Sequence, residues 1–390
     1  YVEIISKVIA ESATEKYTSQ EVSDLLARDS LGFGFGVDGF EDKTGDSKVH
    51  LRMSFQALSK KKVKLLSVIN SLLNDSLLDT EKIKEILARE ITRMESAVVG
   101  MESRNIVQTR TSAKLYSHVV YEEYSGGISY LQELQKIQLA FKKDESQVIK
   151  KLQKVYSLLF TTKGAYVSGL TRKNDLAETM IKLGIDNHLY SSKKVSTLPK
   201  RDEFFQSASM SNYNSIGIRT KKQSTSDKAT RSLLAAILNP NYLWKNLRDK
   251  GGAYGGALMP SPYDDLTFIS WRDPRVSGTY KDFKNVVEYV AGENITVEDL
   301  HQAKISLFSK LDSPVTRSQL LEKETARLIT GRTKKGAQQK RKKLKDMSPK
   351  NLSKTAGSLL SGIARGVKTT VGRSDVDSKT KKEFKSVEKI

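Results

Sequence analysis

The first half of the chain carries a strand pattern followed by helical patterns. Polar and apolar residues alternate along Val49–Phe55, which is typical of a half-buried β-strand, and the glycine-rich stretch Gly32–Val37 lies before it. Apolar residues then recur at helical spacing from Leu65 to Leu73. Thr80 stands where it can cap a longer helix with an apolar face from Ile83 to Met94. The pattern therefore predicts a strand backed by helices.

The same order of elements returns in the second half. Gly251–Gly256 is again glycine-rich, Leu266–Trp271 is a strand candidate, and the next helix has apolar residues from Phe283 to Val290. Thr296 is placed to cap a further helix with apolar positions from Leu300 to Leu311. The two sets of elements are offset by about 220 residues, which indicates an internal repeat.

Each half also closes on a short strand candidate, Ala165–Gly169 in the first and Val367–Val371 in the second. Strands mixed with long helices predict an α+β fold of two tandem homologous domains, each with helices packed on one face of a sheet. A polar, turn-forming segment separates the two domains. We therefore predict one domain at residues 1–190, a linker at 191–200 and a second domain at 201–390.

Composition agrees with two folded domains. The chain has 390 residues, of which 38% are hydrophobic and 28% charged, as in ordinary globular proteins. No apolar run approaches the roughly 18 residues that a membrane span needs, and the residues after Tyr1 lack the pattern of a signal peptide. Because the sequence does not begin with methionine, we expect the chain to be a piece of a longer protein.

The sequence lacks the common motifs for metal binding and for nucleophilic catalysis. The four histidines, His50, His118, His188 and His301, are scattered, and none belongs to a His-Glu-x-x-His or His-x-x-Glu-His motif that would bind a catalytic zinc. Cysteine is absent, which excludes disulfides and thiolate chemistry. The glycines at 251–256 do not form a phosphate-binding loop. The residues alone therefore indicate neither a metal site nor a self-sufficient enzyme.

One segment of the second half carries a specific motif. Leu247–Gly255 reads Leu-Arg-Asp-Lys-Gly-Gly-Ala-Tyr-Gly, and the next strand candidate ends in Ser-Trp-Arg-Asp-Pro at Ser270–Pro274. These residues resemble the C-terminal half of the pitrilysin- and insulinase-type zinc metallopeptidases (inverzincins), and in particular the presequence-protease and falcilysin subfamily. That subfamily has tyrosine where this chain has Trp271. Thr14–Thr18 and Ile295–Leu300 extend the resemblance over nearly the whole chain.

The resemblance implies a zinc metalloendopeptidase that encloses its substrate. Family members have four homologous domains with mostly antiparallel sheets, and the first domain binds zinc through a His-x-x-Glu-His motif. This chain is similar to the third and fourth domains, so zinc would be bound by an absent N-terminal half and this chain would hold no cofactor of its own. The expected partners are that N-terminal half and an unfolded peptide substrate.

Arg248 and Tyr254 are the catalytic residues that the resemblance implies. Tyr254 would donate a hydrogen bond to the oxyanion of the tetrahedral intermediate, and Arg248 would hold a carbonyl of the peptide. On periodicity alone, Arg248 would simply end a helix and Tyr254 would pack within a strand; the motif favours the site role. Arg272–Asp273 is interpreted as a structural ion pair or turn. The weaker substrate-binding candidates are the small residues Gly251, Gly252 and Ala253.

A strongly basic stretch supports a competing interpretation. Residues 332–345 include eight basic and no acidic residues, and the whole chain has 66 basic and 45 acidic residues, a formal charge of +21. Such charge suits a nucleic-acid-binding module. However, no aromatic residue interrupts the stretch and no nucleic-acid-binding motif is visible, so we favour a solvated helix face that precedes a helix start at Ser348.

A non-catalytic role and the compartment stay open. The family also includes scaffold and partner subunits without activity, although the presence of both Arg248 and Tyr254 favours the peptidase role. We expect neither nucleic acid nor a membrane as a partner. A lysine-rich chain without cysteine suits a bacterial cytoplasm, which we predict, and also an organelle matrix.

Overall fold

Helices and strands both build the computed structural model, which describes residues 1–41, 47–159, 167–171, 173–183, 195–219, 224–260, 265–292 and 294–390. The helices are α1 (Val2–Ala10), α2 (Ser19–Asp29), α3 (Lys62–Asn74), α4 (Thr80–Val99), α5 (Ser103–Ala113), α6 (Val119–Gly126), α7 (Ile128–Lys143), α8 (Glu145–Leu159), α9 (Lys173–Lys182), α10 (Thr225–Leu238), α11 (Ser277–Ala291), α12 (Val297–Asp312), α13 (Arg317–Thr330), α14 (Lys334–Asp346), α15 (Pro349–Leu360) and α16 (Ser378–Lys381), with a π-helical segment at Asn239–Asp249 and a 3₁₀ turn at Ile363–Arg365. The strands are β1 (Ser30–Glu41), β2 (Ser47–Ala57), β3 (Glu203–Ser207), β4 (Asn212–Arg219), β5 (Gly255–Pro260), β6 (Asp265–Asp273), β7 (Val367–Arg373) and β8 (Ser386–Lys389). The predicted α+β class is confirmed. Within the described ranges, no helix is both long enough and apolar enough to cross a membrane.

The chain folds into two compact units, each assembled from separate stretches of sequence. The first contains Tyr1–Met94, Tyr124–Lys194 and Thr316–Thr330, and the second contains Glu95–Glu123, Val195–Val315 and Gly331–Ile390. This grouping does not test the homologous domains predicted at residues 1–190 and 201–390, nor the linker at 191–200, part of which lies outside the described residues. That division stays a prediction.

In the first unit, helices pack around an antiparallel hairpin. β1 pairs with β2 along most of its length, with Val37 opposite Leu51. Helices α1 and α2 contact β1, and α2 and α3 contact each other. Thr18 caps α2 through a capping box with Glu21, which satisfies amide groups that the start of a helix leaves without partners.

The elements predicted in the first half are confirmed with two differences. The predicted strand lies within β2, and the predicted helices are α3 and α4. Because α4 begins at Thr80, its cap is Asp79, whose carboxylate accepts a hydrogen bond from the Lys82 amide at 2.7 Å. The prediction of Thr80 as the cap is therefore wrong by one residue. Of the strand predicted at 165–169, residues 165 and 166 lie outside the described residues, and Val167–Gly169 has no regular structure.

The second unit is built on a six-stranded, mostly antiparallel sheet with the strand order β5-β6-β4-β7-β3-β8. β3 runs parallel to both of its neighbours, β7 and β8, and the other three strand pairs described in this sheet are antiparallel. Side chains alternate along β4, so Ile216 and Ile218 face an apolar core shared with α10, α11, α12 and α15. A Cβ atom at Gly217 would point the other way, 2.8 Å from Cγ2 of Thr111 and 3.0 Å from Cδ1 of Leu115. Helix α5 therefore covers the opposite face of this sheet.

The elements predicted in the second half are confirmed. β6 contains the predicted strand Leu266–Trp271, β7 contains Val367–Val371, and α11 and α12 are the predicted helices. Thr296 caps α12 in a capping box with Asp299. Ser348 caps α15, as its position before a proline predicts.

A buried ionic cluster joins α5 to the sheet of the second unit. Arg110 donates two hydrogen bonds to the Glu203 carboxylate on β3, at 2.8 and 2.9 Å, and Nζ of Lys114 lies 2.8 Å from the same carboxylate. Burial by itself would raise the pKa of Glu203, but Arg110 and Lys114 outweigh it and lower the pKa to about 2. Burial lowers the pKa of Lys114 to about 8, with Glu203 opposing the shift. The cluster tolerates its burial because each charge has an opposite partner.

Candidate functional site

The segment that carries the family motif begins at the end of a helix. Helix α10 continues directly into the π-helical segment. The backbone then reverses: Gly252, with a φ of +75°, donates to the Arg248 carbonyl at 2.9 Å, and the Ala253 amide donates to the Leu247 carbonyl at 2.9 Å. A left-handed residue after the last helical turn is a common way to end a helix, and glycine adopts it without steric cost. This turn leads into β5 and sets Tyr254 beside the helix end.

Arg248 and Tyr254 meet on the exposed side of this turn. The guanidinium carbon of Arg248 lies 5.9 Å from the centre of the Tyr254 ring. Both side chains are exposed, Tyr254 by 58%, so Tyr254 is not a packed strand residue. Arg248 does end a helix, but its side chain also reaches the tyrosine. The arrangement offers an exposed phenol hydroxyl and an exposed guanidinium side by side, which suits recognition of peptide carbonyl groups.

Two residues that the sequence analysis did not assign to the site flank this pair. The Trp244 ring centre lies 4.3 Å from the guanidinium carbon of Arg248. The Tyr254 ring centre lies 5.7 Å from the guanidinium carbon of Arg272. Trp244 stands four residues before Arg248, so helical spacing was a signal for it. Arg272 reaches the site because the Tyr254 amide donates to its carbonyl at 3.2 Å. The sequence pattern did not show which strand pairs with the segment at Tyr254, so this contact could not be predicted.

The small residues of the motif shape the turn. A Cβ atom at Gly251 would lie 2.5 Å from the main-chain carbonyl oxygen of Leu247, so close packing against the backbone requires glycine at this position. Gly252 is exposed and Ala253 is buried. All three therefore help to hold the helix end against the start of β5. Their predicted contact with the backbone of a substrate stays a prediction.

β5 is an edge strand whose outer side is partly covered. The Leu258 amide donates to Oδ1 of Asn239 at 2.7 Å, and Nδ2 of Asn239 donates to the Leu258 carbonyl at 3.3 Å. One side chain thus occupies both main-chain groups that an added strand would need at Leu258. A peptide that lengthened this sheet at β5 would first have to displace Asn239.

Arg272 and Asp273 have separate surroundings. Asp273 is buried and accepts hydrogen bonds from the Arg275 amide at 2.9 Å and the Thr279 hydroxyl at 2.7 Å, as a turn residue does. Burial raises the pKa of Asp273, although these hydrogen bonds oppose the shift. Burial raises the pKa of Tyr213, and the nearby guanidinium of Arg272 opposes the shift. Arg272 also has a left-handed backbone with a φ of +46°. Asp273 therefore belongs to the scaffold, whereas Arg272 reaches the site.

The histidines lie in unrelated surroundings. His50 is on β2 of the first unit, His301 is exposed on α12, and His188 lies outside the described residues. His118 is buried; burial lowers its pKa to about 4, and the charges of Arg219 and Arg332 act in the same direction. Across the part of the chain that the structure describes, no group of three or more histidine, aspartate or glutamate side chains could hold a metal ion.

The basic stretch forms α14, and most of its lysines face solvent while Leu344 is buried. The solvated helix face that the sequence predicts is therefore present. Arg341 makes a two-pronged ion pair with Asp312, at 2.6 and 2.7 Å.

Two family models match the chain. The model described as PreP C-terminal domain matches residues 202–372, and the model of a domain associated with the M16 peptidases of subfamily C matches residues 1–137. Protein HypA of Clostridium perfringens is 24% identical over 326 residues, which cover 81% of this chain and 33% of that protein. The mitochondrial presequence protease of Yarrowia lipolytica is 22% identical over 358 residues, which cover 88% and 36%. The chain thus spans about a third of the length of these curated relatives.

Solved structures share the fold. The crystal structure of pitrilysin matches with a TM-score of 0.63 at 14% sequence identity, over 97% of this chain and 39% of pitrilysin. Identity this low supports the fold and not the function. The family models, the curated relatives and the shared fold together show that the chain belongs to the pitrilysin-type M16 family of peptidases, within which residues 202–372 correspond to the PreP C-terminal domain.

Proposed function

We propose that this chain forms the substrate-holding side of a zinc metalloendopeptidase that degrades short, unstructured peptides in a closed chamber. The observation that carries the proposal is the exposed pair of Arg248 and Tyr254, 5.9 Å from guanidinium carbon to ring centre. The pair lies at the junction of a helix end with a strand of the large sheet. Membership of the M16 peptidases supports peptide hydrolysis as the chemistry of the whole protein.

Tyr254 has the chemistry of an oxyanion donor. During attack on a peptide bond, negative charge develops on the carbonyl oxygen, and a phenol O–H can donate a hydrogen bond to it. Because this bond strengthens as the charge develops, it lowers the barrier more than it tightens substrate binding. Tyr254 therefore acts mainly on kcat in this proposal.

Arg248 has the chemistry of a substrate clamp. Its guanidinium is permanently charged and presents several N–H donors in one plane, which can hold a carbonyl next to the bond that is cut. Fixing the peptide in this way places the reacting carbonyl near Tyr254. Arg248 therefore acts on both substrate affinity and orientation.

Zinc is not held by this chain in the proposal. The described residues do not provide three clustered ligands, so they do not fit a catalytic zinc site. We assign the metal to an N-terminal half of the protein, which would be the partner of this chain, and derive no chemical step through it. The curated relatives are about three times as long as the region they share with this chain, which supports such a partner half.

Two alternatives and the compartment also stand as hypotheses. A non-catalytic scaffold of the same family would keep the fold, but the exposed Arg248 and Tyr254 favour the peptidase. A nucleic-acid-binding module would use α14, where the ion pair of Arg341 with Asp312 already neutralises one charge. One relative is bacterial and another is named mitochondrial, so both the bacterial cytoplasm and an organelle matrix stay predictions.

Arg248→Ala in the full-length protein tests the proposal. We expect kcat/KM for an unstructured peptide to fall about tenfold or more, because a hydrogen bond from a charged group is worth about 1.5–3 kcal/mol. Arg365→Ala changes another exposed arginine of the second unit and should keep wild-type activity. Unchanged kcat/KM in Arg248→Ala, or a full-length protein with zinc that cuts no peptide, would contradict the proposal.

A further inference from the structure

Four side chains form a column in which aromatic rings and guanidinium groups alternate: Trp244, Arg248, Tyr254 and Arg272. From one end to the other, the guanidinium carbons lie 4.3, 5.9 and 5.7 Å from the neighbouring ring centres. The proposed function uses the two inner members of this column. The proposed function assigns no role to the two outer members, Trp244 and Arg272.

Trp244 restricts the guanidinium of Arg248. Its side chain is 47% exposed, and the contact with Arg248 is the shortest in the column. Both residues belong to the π-helical segment, which Leu243 and Leu247 anchor in the core. Tryptophan makes the strongest cation–π contacts of the aromatic residues, and a flat guanidinium stacks well on its ring. An arginine that is already held in place loses less freedom when it binds a peptide.

Arg272 contacts Tyr254 in two ways. It is the one non-glycine residue with a positive φ in the described part of the chain, and such outliers cluster at functional sites. Its carbonyl accepts the Tyr254 amide at 3.2 Å, and its guanidinium lies 5.7 Å from the Tyr254 ring centre. The guanidinium also lies near the phenol of the buried Tyr213. One strained residue thus touches both the backbone and the ring of Tyr254.

We propose that Trp244 and Arg272 are positioning residues: Trp244 orients Arg248 for binding the peptide, and Arg272 orients the phenol of Tyr254 for the oxyanion. The inference rests on the proposed function of the inner pair. It adds that the two outer residues act through their neighbours, so each should affect the kinetic parameter that its neighbour controls.

The test for Trp244 compares two variants of the full-length protein. Trp244→Ala removes the stacking surface, and we expect KM for an unstructured peptide to rise roughly two- to five-fold with little change in kcat. Trp244→Phe keeps a ring for Arg248 and should recover most of the affinity. A merely structural role would instead change the unfolding midpoint and give no recovery with phenylalanine.

The test for Arg272 uses glycine as the informative substitution. Glycine adopts the left-handed backbone without strain, so Arg272→Gly keeps the pairing of β5 with β6 and the carbonyl while it removes the guanidinium. We expect kcat to fall roughly two- to five-fold, KM to change little and the unfolding midpoint to stay the same or rise. A variant that does not fold would overturn this role, because a residue that only positions Tyr254 is not needed for folding.

Arg248→Ala, measured in the same assay, distinguishes a failure of the positioning roles from a failure of the proposed function. If it lowers kcat/KM while Trp244→Ala and Arg272→Gly match the wild type, the positioning roles are overturned and the proposed function stands. If Arg248→Ala is also fully active, both the proposed function and the positioning roles fail. The roles are supported when Trp244→Ala raises KM, Arg272→Gly lowers kcat and neither variant has a lower unfolding midpoint than the wild type.

Discussion

The two glycine-rich segments hold matching places in the predicted sequence repeat, yet their surroundings differ. In the first, on β1, a Cβ atom at Gly34 would meet no described atom within 4 Å. In the second, a Cβ atom at Gly255 would lie 2.4 Å from the Trp271 ring, and one at Gly256 would lie 2.1 Å from Cδ1 of Leu247. The same residue type thus gives open backbone in one segment and close packing in the other.

The sheets that support the two segments also differ, in the number of strands and in how much of each sheet is covered. In the described residues, the first segment lies on a two-stranded hairpin, whereas the second leads into a six-stranded sheet. That sheet is covered by an apolar core on one face and by α5, with its buried ionic cluster, on the other. Side chains that bind a substrate in a defined geometry need rigid support. The surroundings of a glycine-rich segment, and not its pattern, therefore make it suitable for a site.

The largest expected effect comes from breaking the support of the second sheet. Glu203→Gln leaves Arg110 and Lys114 with buried charges that have lost their main partner, and we expect the second unit to lose about 3–5 kcal/mol of unfolding free energy. Urea unfolding measures the loss. Glu388→Gln on β8 changes a more exposed carboxylate paired with Arg201 and should cost less than about 1 kcal/mol.

The same cluster predicts a dependence of stability on acid. Glu203 has a folded-state pKa of about 2, below its ordinary value of 4.5, so the folded state binds fewer protons than the unfolded state between these values. The stability that Glu203 contributes is complete above pH 4.5 and is lost as the pH falls toward 2. In Glu203→Gln, the unfolding free energy should fall less than in the wild type as the pH is lowered from 4.5 toward 2. An equal acid loss in wild type and variant would contradict the role of the cluster.

A smaller effect is expected from crowding the second glycine segment. Gly255→Ala forces a methyl group into the Trp271 ring, and overpacking of this kind costs about 1–3 kcal/mol. Because Tyr254 is the preceding residue, kcat of the full-length protein should fall as well. Chemical unfolding and peptide cleavage measure the two effects. Wild-type values for both would show that the segment is less tightly packed than the structure indicates.

The smallest effect is expected at the matching place in the first segment. Gly34→Ala adds a methyl group in open space and reduces the freedom of the unfolded chain, so stability should stay unchanged or rise by up to about 1 kcal/mol. Cleavage activity should match the wild type. If Gly34→Ala were as damaging as Gly255→Ala, the contrast between the two segments would be wrong.

The sequence predicted the α+β class, the repeated order of elements and several strands and helices from local patterns alone. It also led to Arg248 and Tyr254, through a motif that lies within nine consecutive residues, Leu247–Gly255. Local periodicity and short motifs are properties of neighbouring residues, so they can be recognised without a structure.

Features that depend on contacts between residues far apart in the sequence could not be predicted. Arg272 reaches Tyr254 only through the pairing of β5 with β6, and a short, glycine-containing strand such as β5 has a weak strand pattern. Helix α5 joins the second unit through Glu203, which lies 93 residues beyond Arg110. The cap of α4 moved to Asp79 because two possible capping residues are adjacent. The first two features depend on contacts between residues far apart in the sequence. The third depends on competition between the adjacent residues Asp79 and Thr80 to cap α4.

The turnover of Tyr254→Phe in the full-length protein tests whether this chain supplies the oxyanion donor. The substitution keeps the ring in the column and removes only the hydroxyl, so we expect kcat for an unstructured peptide to fall about 100-fold or more with a smaller change in KM. Tyr124→Phe, at an exposed tyrosine of the first unit, is the matched control and should turn over at the wild-type rate. A kcat for Tyr254→Phe equal to that of Tyr124→Phe would contradict the claim that this chain supplies the oxyanion donor.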